Sequence, residues 1–329
     1  MTEEPQKPGS SLGPALLPQL NEACENRLRD VRWFRTDWQR GGAATAYGTL
    51  DGRSSSEVPR DVVIKFPIGP REYRVLVGLG AVAAPTPRIA YHGTELGSFD
   101  MAWVVMERMH GEPLKSDPSK HTFRLCAGAL ARFYRCAERC WPLQEHETTA
   151  DWPDLISKAR ESAKVNAIPD AQRWSNTIHQ VQRVLDRLLI KWHTRPVNAW
   201  CHGDLHLANL MLRSADSPWR DGPPDDAAPE AILFDFAGVR SGHWIEDAVY
   251  LERQYWANRD VIKKVKPVSL IARARKDAGL PTDDYTQLAC IRRILLASCV
   301  PAFLDREGHP TYLAAALDTL EHQLELLSL

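Results

Sequence analysis

The chain changes character once, near Gly111, from short strand-like segments to long helical ones. Before Gly111, five segments rich in β-branched and aromatic residues are separated by turn-forming residues, and a helical pattern follows the third segment. We expect strands at residues 31–39, 44–50, 62–66, 88–92 and 103–109, and helices at 15–28 and 71–79. After Gly111, apolar residues recur every three or four positions, which predicts helices at 123–140, 170–193, 244–258, 271–278, 285–299 and 312–327. A sheet with one inserted helix, followed by a mainly helical part, indicates an α+β fold.

The charge balance excludes some classes of partner. With 41 basic and 42 acidic residues the formal net charge is −1, so no overall field attracts nucleic acid or an anionic membrane. Residues 1–14 are rich in Pro, Gly and Ser and lack an apolar core, which is typical of a flexible tail and not of a signal peptide. The longest apolar stretch, 294–304, is too short to span a bilayer. We therefore expect a cytoplasmic protein with no nucleic-acid or membrane partner.

One set of polar residues has the types and the order that phosphoryl transfer requires. His202, Asp204 and Asn209 form the pattern H-x-D-x-x-x-x-N, and Asp235 followed by Phe236 ends an apolar run. Phosphoryl transfer needs an acidic group beside the acceptor hydroxyl and oxygen ligands for magnesium, because its transition state is mostly charge to be neutralised. Asp204, Asn209 and Asp235 supply such groups in the order of the kinase motifs. Taken singly, each motif also suits a capped turn or a buried strand end; together they favour the reaction.

A thiol nucleophile is the competing interpretation of the same segment, since Cys201 precedes His202. The phosphotransfer pattern accounts better for the His and the Asp. The seven cysteines are odd in number and irregularly spaced, so they predict no disulfide framework.

The segment WCHGDLHLANLML resembles the aminoglycoside phosphotransferase-like family of small-molecule kinases, which includes choline kinase-like proteins. The segments VVIKFP, REYRVL and APTPRIAYHG resemble the amino-terminal part of the same family. The resemblance implies a protein-kinase-like two-lobe fold, with a five-stranded antiparallel N-lobe sheet carrying one helix and a mainly helical C-lobe. We accordingly assign residues 1–30 to a flexible tail and N-terminal helix, 31–109 to a nucleotide-binding N-lobe, and 110–329 to a C-lobe with the catalytic loop, metal motif and acceptor site.

The resemblance also implies roles for residues of the catalytic segment. Asp204 would be the catalytic residue that orients the acceptor hydroxyl and takes its proton, while Asn209 and Asp235 would hold Mg²⁺. His202 would support the loop, and Asp247 would brace its backbone. His206, which protein kinases replace by Lys, would contact phosphate or form a hydrogen bond within the loop.

The expected ATP site uses residues of the N-lobe. Gly41 and Gly42, between the first two strands, would cover the phosphates, although such a pair also suits a plain hairpin. Lys65 lies in an apolar strand, where an ammonium needs a partner. The resemblance implies that Lys65 binds the α- and β-phosphates and that Glu72 holds it; a Lys that reaches solvent and a Glu favoured by the helix dipole are the alternatives.

By the same resemblance, the adenine edge would bind the Glu107 carbonyl and the Met109 amide; the alternative is that this segment is an ordinary edge strand.

The sequence departs from the kinase pattern in two places. The metal motif reads D-F-A, and Asp235 comes 26 positions after Asn209. The Pro-, Gly- and Asp-rich residues 214–230 account for this length, and we expect them to form a loop that buries few apolar groups.

The leading hypothesis is an ATP- and Mg²⁺-dependent phosphotransferase that moves the γ-phosphate to a hydroxyl of a small molecule, with an aminoglycoside-like, sugar or amino-alcohol acceptor. A nucleotide-binding pseudokinase that acts as a binding module is the alternative. A protein kinase is a weaker one, because no A-P-E segment follows Asp235. For a cationic or sugar acceptor, the candidate contacts are Asp151, Trp152, Asp154, Trp256, Asp260, Asp283 and Asp284.

Overall fold

The computed structural model describes residues 12–34, 43–54, 56–145, 150–220, 229–283 and 285–327. It has the expected α+β composition. Contacts between residues divide the described chain into two compact units. The sheet unit comprises Met1–Leu114 and Ala208–Val239, and the helical unit comprises Lys115–Leu207 and Arg240–Leu329. Residues 208–239, which the sequence analysis assigned to the C-lobe, are thus grouped with the sheet.

The sheet unit contains the five predicted strands in an antiparallel sheet of order β1-β2-β3-β5-β4. Its elements are α1 (Leu12–Ala23), β1 (Leu28–Phe34), β2 (Ala44–Leu50), β3 (Arg60–Phe66), α2 (Pro70–Gly80), β4 (Ile89–Leu96), β5 (Phe99–Glu107), β7 (Leu210–Arg213) and β8 (Glu230–Leu233). β1 begins three residues earlier than predicted because Leu28 pairs with Leu50 of β2. Residues 35–39 of the predicted strand lie outside the described residues. β4 and β5 are longer at their joining turn, where Gly97 adopts a left-handed conformation with φ 60°.

One face of this sheet packs on the N-terminal helix. Val62, Ile64 and Phe66 alternate along β3 and are fully buried, as the period of a strand requires. Leu16 and Leu20 of α1 belong to the same apolar cluster. The helix expected at 15–28 is present as α1, which begins three residues earlier and ends five residues earlier than expected, so residues 12–14 of the expected tail are helical. Because its apolar residues join this cluster, α1 is an integral layer of the sheet unit. The flexible tail was expected at 1–14, of which residues 1–11 lie outside the described chain.

The expectation that residues 214–230 bury few apolar groups is wrong at Trp219. Residues 214–220 form a loop without helix or strand, as predicted. The Trp219 side chain, however, is only 7% exposed and belongs to the apolar cluster of the sheet. The guanidinium carbon of Arg60 lies 5.0 Å from the centroid of its ring. An indole ring buries more apolar area than most side chains, so one Trp is enough to attach a polar loop to the sheet.

The helical unit contains every helix predicted after Gly111. Its elements are α3 (Lys120–Cys140), α4 (Trp152–Val165), α5 (Ala171–His193), β6 (Ala199–Cys201), β9 (Arg240–Gly242), α6 (Ile245–Arg253), α7 (Arg259–Val265), α8 (Pro267–Asp277), α9 (Thr286–Ser298), α10 (Leu304–Glu307) and α11 (Pro310–Leu327). β6 pairs with β9 in an antiparallel ladder. The apolar stripe predicted along α5 is buried from Trp174 to Trp192. α4, α7 and α10 were not predicted.

All seven cysteines are free thiols, as the sequence predicted. Burial raises the pKa of the Cys201 thiol well above its ordinary value, with the carboxylates of Asp247 and Glu246 adding to the effect. A fully buried thiol in that state is a poor nucleophile, which argues against the competing interpretation of the catalytic segment. Across the described ranges, no single helix is long and apolar enough to cross a membrane, and one bent pair, Thr286–Ser298 with Val300–Glu307, meets the length and composition only jointly.

Candidate active site

The catalytic segment of the helical unit is held by a buried carboxylate. Asp247 on α6 accepts hydrogen bonds from the backbone N–H of His202 at 2.7 Å and of Gly203 at 2.9 Å. It also accepts one from the Tyr134 hydroxyl at 2.9 Å. Gly203 has φ 84°, a left-handed conformation that suits glycine, and this places the loop's sharp turn beside Asp247. Three donors satisfy the Asp247 carboxylate, which makes the bracing contact that the resemblance implied.

Asp204 follows this turn, and each oxygen of its half-exposed carboxylate has a different neighbour. Its Oδ1 atom accepts a hydrogen bond of 2.7 Å from the Tyr250 hydroxyl. Its Oδ2 atom lies 3.6 Å from Nε2 of His206, an ion-pair distance. The interaction with His206 lowers the pKa of Asp204 to about 2; burial opposes this shift, and the Tyr250 hydroxyl adds to it. Asp204 is therefore ionised at neutral pH.

The two histidines of the segment have different surroundings. His202 is fully buried, with its ring 6.2 Å from that of Phe133 in an edge-on arrangement. The backbone N–H of Asp204 lies 3.4 Å from its Nδ1 atom. His202 thus packs beneath the loop as a support, whereas the partly exposed His206 faces the Asp204 carboxylate.

In the sheet unit, Lys65 has the partner that was predicted for it. Its Nζ atom lies 2.8 Å from both carboxylate oxygens of Glu72. The link is possible because Glu72 lies in the first turn of α2, which begins only four residues after β3 ends. Both side chains are largely buried, so the ion pair holds the ammonium in place on an apolar strand. Gly41 and Gly42 lie outside the described residues.

The predicted metal ligands are adjacent in the sheet unit through a backbone hydrogen bond. The N–H of Phe234 donates to the carbonyl of Asn209 at 2.9 Å, which places Asp235 next to Asn209. Asp235 has φ 60°, an uncommon conformation for a non-glycine residue that turns the chain after β8. The D-F-A motif continues as a 3₁₀ turn, Phe236–Gly238, with Phe236 fully buried.

This donor set suits a magnesium ion that is shared with phosphates. One carboxylate and one amide oxygen are hard ligands, and Mg²⁺ usually takes only one or two protein ligands besides substrate phosphates and water. In the described part of the chain, no group of three His, Cys, Asp or Glu side chains could hold a metal by itself. The oxygen donors of Asn209 and Asp235 fit such a shared ion.

Glu107 has a side-chain role that the sequence did not reveal. Its carboxylate receives Arg213 Nε at 2.8 Å and Arg213 Nη2 at 2.5 Å, and both side chains are only 1% exposed. Arg213 also pairs with Glu230 at 2.6 Å and donates to the Thr86 carbonyl at 3.1 Å. The backbone N–H of Glu107 donates to Arg88. The side chain of Glu107 is thus structural, and the role predicted for Glu107 concerns its backbone carbonyl alone.

A cavity of about 440 Å³ lies beside this segment, wholly within the sheet unit. Glu107 and Met109, the residues predicted to bind adenine, are among the residues that line it. Pro218 and Trp219 of the loop contribute apolar surface on another side. The loop of residues 214–220 therefore shapes the surroundings of the predicted base-binding segment.

The residues proposed for a cationic or sugar acceptor mostly serve other purposes. Asp151 caps α4 by accepting the backbone N–H of Asp154, and Asp154 pairs with Lys158 at 2.7 Å. Trp152 and Trp256 are buried and offer no open aromatic face. The two remaining described acids are Asp260, in the first turn of α7, and Asp283, while Asp284 lies outside the described residues.

The sequence analysis missed Tyr250, which contacts Asp204 of the catalytic segment, and Tyr134, which contacts Asp247. Tyr250 follows Asp247 by three positions on α6, so both lie on the same face of that helix. The three-residue spacing of Asp247 and Tyr250 is the sequence signal from which this contact could have been predicted. Tyr134 lies 113 positions from Asp247, and no sequence pattern marks such a distant partner.

Comparison with known proteins bears on the fold and the family. The model of the phosphotransferase enzyme family, APH, matches residues 66–262, which is more than half of the chain. No curated protein matches the sequence significantly. Among solved structures, the chain is similar to a putative aminoglycoside phosphotransferase from Ralstonia eutropha JMP134, with 14% identity and a TM-score of 0.53 over 93% of this chain and 95% of that one.

Two further solved structures show the same fold. Choline kinase from Cryptosporidium parvum Iowa II has 11% identity and a TM-score of 0.50, covering 96% of this chain and 93% of that one. A thermostable mutant of aminoglycoside phosphotransferase APH(4)-Ia, in a ternary complex with ADP and hygromycin B, has 12% identity and a TM-score of 0.50 over 93% and 96% of the two chains. The protein-kinase-like fold is thereby confirmed. Because the family model spans the catalytic segment, the metal motif and Asp247, the chain belongs to the phosphotransferase enzyme family.

Proposed function

We propose that this protein is an ATP- and magnesium-dependent kinase that transfers the γ-phosphate to a hydroxyl group of a small molecule. This chain belongs to the phosphotransferase enzyme family, and the observation that carries the proposal is how its Asp204 carboxylate is held. Its carboxylate is ionised, half-exposed and held on a loop whose backbone is fixed by Asp247. A carboxylate so placed can orient a hydroxyl and accept its proton.

The low pKa of Asp204 suits phosphoryl transfer. In a loose transition state the acceptor oxygen carries little charge early in the reaction, so the proton leaves late and a strong base is not needed. The acceptor oxygen forms a bond to the γ-phosphorus as the bond from that phosphorus to the β,γ-bridging oxygen breaks, and ADP leaves. The proton passes to Asp204 and then to solvent.

The nucleotide contacts come from residues of the sheet unit. Lys65, oriented by Glu72, would form ion pairs with the α- and β-phosphates. Asn209 and Asp235 would hold the magnesium ion, which supplies charge neutralisation at the phosphates when bound. The backbone of Glu107 and Met109 would bind the adenine edge, beside the cavity described above.

Two observations bear on the acceptor class: the proteins that share this fold, and the acidic residues at the start of α4. An aminoglycoside phosphotransferase in complex with ADP and hygromycin B and a choline kinase have the same fold, which supports a hydroxyl of an aminoglycoside-like molecule or of an amino alcohol as acceptor. Two of the acids proposed to bind a polycation are engaged within α4 itself. We therefore favour a sugar or amino alcohol of low charge over a polycationic aminoglycoside.

Mass spectrometry of an acceptor panel tests the proposal. Sugars, amino alcohols and aminoglycosides are each incubated with the protein, ATP and MgCl₂, and a product with the mass of one added phosphate is expected. The Asp204→Asn variant should bind ATP with unchanged affinity but turn over about 10²- to 10⁴-fold more slowly, the usual effect of removing a positioned acid–base group. ATP binding without any transfer would favour the binding-module alternative, and transfer to peptides alone would favour a protein kinase.

A further inference from the structure

One face of α6 holds the catalytic segment at two points. Asp247 binds the backbone of His202 and Gly203, and Tyr250, one helical turn later, binds the Asp204 side chain at 2.7 Å. Residues three apart on a helix share a face, so a single rigid element sets both the path of the loop and the orientation of its carboxylate. The contact with Asp247 fixes the backbone position of Asp204, and the contact with Tyr250 fixes the rotation of its side chain.

The contact with Tyr250 makes the two oxygens of Asp204 unequal. Oδ1 accepts the tyrosine hydroxyl, whereas Oδ2 lies 3.6 Å from His206. A short hydrogen bond to a carboxylate is charge-assisted and geometrically specific. We propose that Tyr250 is a positioning residue of the phosphotransfer: it holds Oδ1, so that Oδ2 is the oxygen that receives the proton of the acceptor hydroxyl. This inference rests on the function proposed above.

Tyr250 is itself supported by the carboxy-terminal helices. The guanidinium carbon of Arg253 lies 5.4 Å from the centroid of the Tyr250 ring. Arg253 pairs with Glu307 of α10 and interacts with the Tyr312 hydroxyl on α11. The orientation of Tyr250 is thus connected to the end of the chain, far from the motif in sequence.

The surrounding charges keep Tyr250 a hydrogen-bond donor. Burial and the Asp204 carboxylate raise the pKa of Tyr250 above its ordinary value, and Glu307 adds to this while Arg253 opposes it. On the other side, His206 and His202 face the Asp204 carboxylate. The phenol therefore remains protonated throughout the range in which a kinase is assayed, and it can donate but not compete for the acceptor's proton.

The test compares Tyr250→Phe with Tyr255→Phe. Tyr255 comes two residues after the end of α6, and its ring packs on that of Phe123 at 5.1 Å. Tyr250→Phe should lower kcat about 10- to 100-fold, the usual effect of losing a hydrogen bond to a charged group. The KM for ATP should change less than about twofold. The acid limb of the kcat/KM profile should move to higher pH, because the carboxylate loses a donor that favours its ionised form.

Each outcome separates this inference from the proposed function. If the wild-type protein transfers phosphate and the two variants behave alike in kcat and pH profile, Tyr250 is only structural and the inference is overturned while the function stands. If the wild-type protein transfers phosphate to nothing, both are overturned. Should Tyr250→Phe fail to fold, 3-fluorotyrosine at position 250 serves instead: its more acidic hydroxyl should move the acid limb to lower pH, and the same substitution at position 255 should not.

Discussion

Glu107 and Arg213 form two hydrogen bonds across 106 positions of the sequence and are almost inaccessible to solvent. They join the last residue of β5 to the last residue of β7. Together with the hydrogen bond from Leu233 N–H to the Pro85 carbonyl, this ion pair explains why residues 208–239 belong to the sheet unit.

Removing one member of this pair should be costly. Arg213→Met leaves the Glu107 carboxylate buried without its charge partner, and we expect the free energy of unfolding to fall by about 3–5 kcal/mol. The double variant Glu107→Leu with Arg213→Met should recover much of that loss, since it removes the buried Glu107 carboxylate and leaves only the partly exposed Glu230 without Arg213. Chemical denaturation measures both, with Arg29→Met, which breaks a mostly exposed pair with Asp51, as a control that changes little. Strictly additive losses would show that the pair is not coupled.

Trp219 should be as important as a core residue although it lies in a polar loop. Trp219→Ala removes a nearly buried indole from the apolar cluster of the sheet, and we expect a loss of about 3–5 kcal/mol in the free energy of unfolding. Val58→Ala, at a side chain that is 71% exposed, is the matched control. Equal midpoints of denaturation for the two variants would mean that the loop does not pack on the sheet in solution.

Asp235→Ala should remove the magnesium dependence of nucleotide binding. The variant loses the only carboxylate of the proposed metal pair, and a hard cation depends on anionic oxygen ligands. Titration calorimetry with ATP, in the presence and absence of MgCl₂, should show a large effect of magnesium on the wild-type protein and almost none on the variant. Asp186→Asn, at an exposed position of α5, is the control. A metal response that survives in Asp235→Ala would assign the ion to other residues.

His206 should set the lower pH limit of the enzyme's activity. Its interaction with Asp204 is the main cause of the lowered pKa of about 2. A carboxyl group whose pKa is lowered by folding stabilises the native state above its unfolded pKa of about 4, and this contribution is lost as the pH falls through the folded value. In His206→Gln the pKa of Asp204 rises, so the acid limb of kcat/KM should move to higher pH. His322→Gln, at an exposed site, should leave the profile unchanged.

The strands and the long helices were predictable because each has a local period. β2 coincides with the predicted segment 44–50, since turn residues mark both of its ends. α4 was missed although Asp151 caps it and Pro153 lies in its first turn, because Asp151, Trp152 and Asp154 were considered only as acceptor contacts. α7 is too short for its apolar period to be recognised in sequence.

The candidate site was predictable as an ordered set of residues but not as a network. Lys65 and Glu72 are seven positions apart, so the connection between β3 and α2 constrains their meeting. Partners such as Tyr250 for Asp204, or Arg213 for Glu107, come from elements distant in the sequence. Their contacts depend on how whole elements pack, and a single sequence carries no local pattern for that packing.

The discontinuity of the sheet unit has a consequence for the order in which the protein is synthesised. A ribosome releases the five-stranded sheet and α1 well before β7 and β8. Until Arg213 emerges, Glu107 lacks its guanidinium partner, and until Trp219 emerges the apolar cluster lacks the Trp219 indole. The nascent sheet therefore stays incomplete while the whole segment from Lys115 to Leu207 is translated. A pause in translation within that segment would prolong the exposure of an unfinished apolar face, so synonymous codon changes there should alter yield without altering the finished protein.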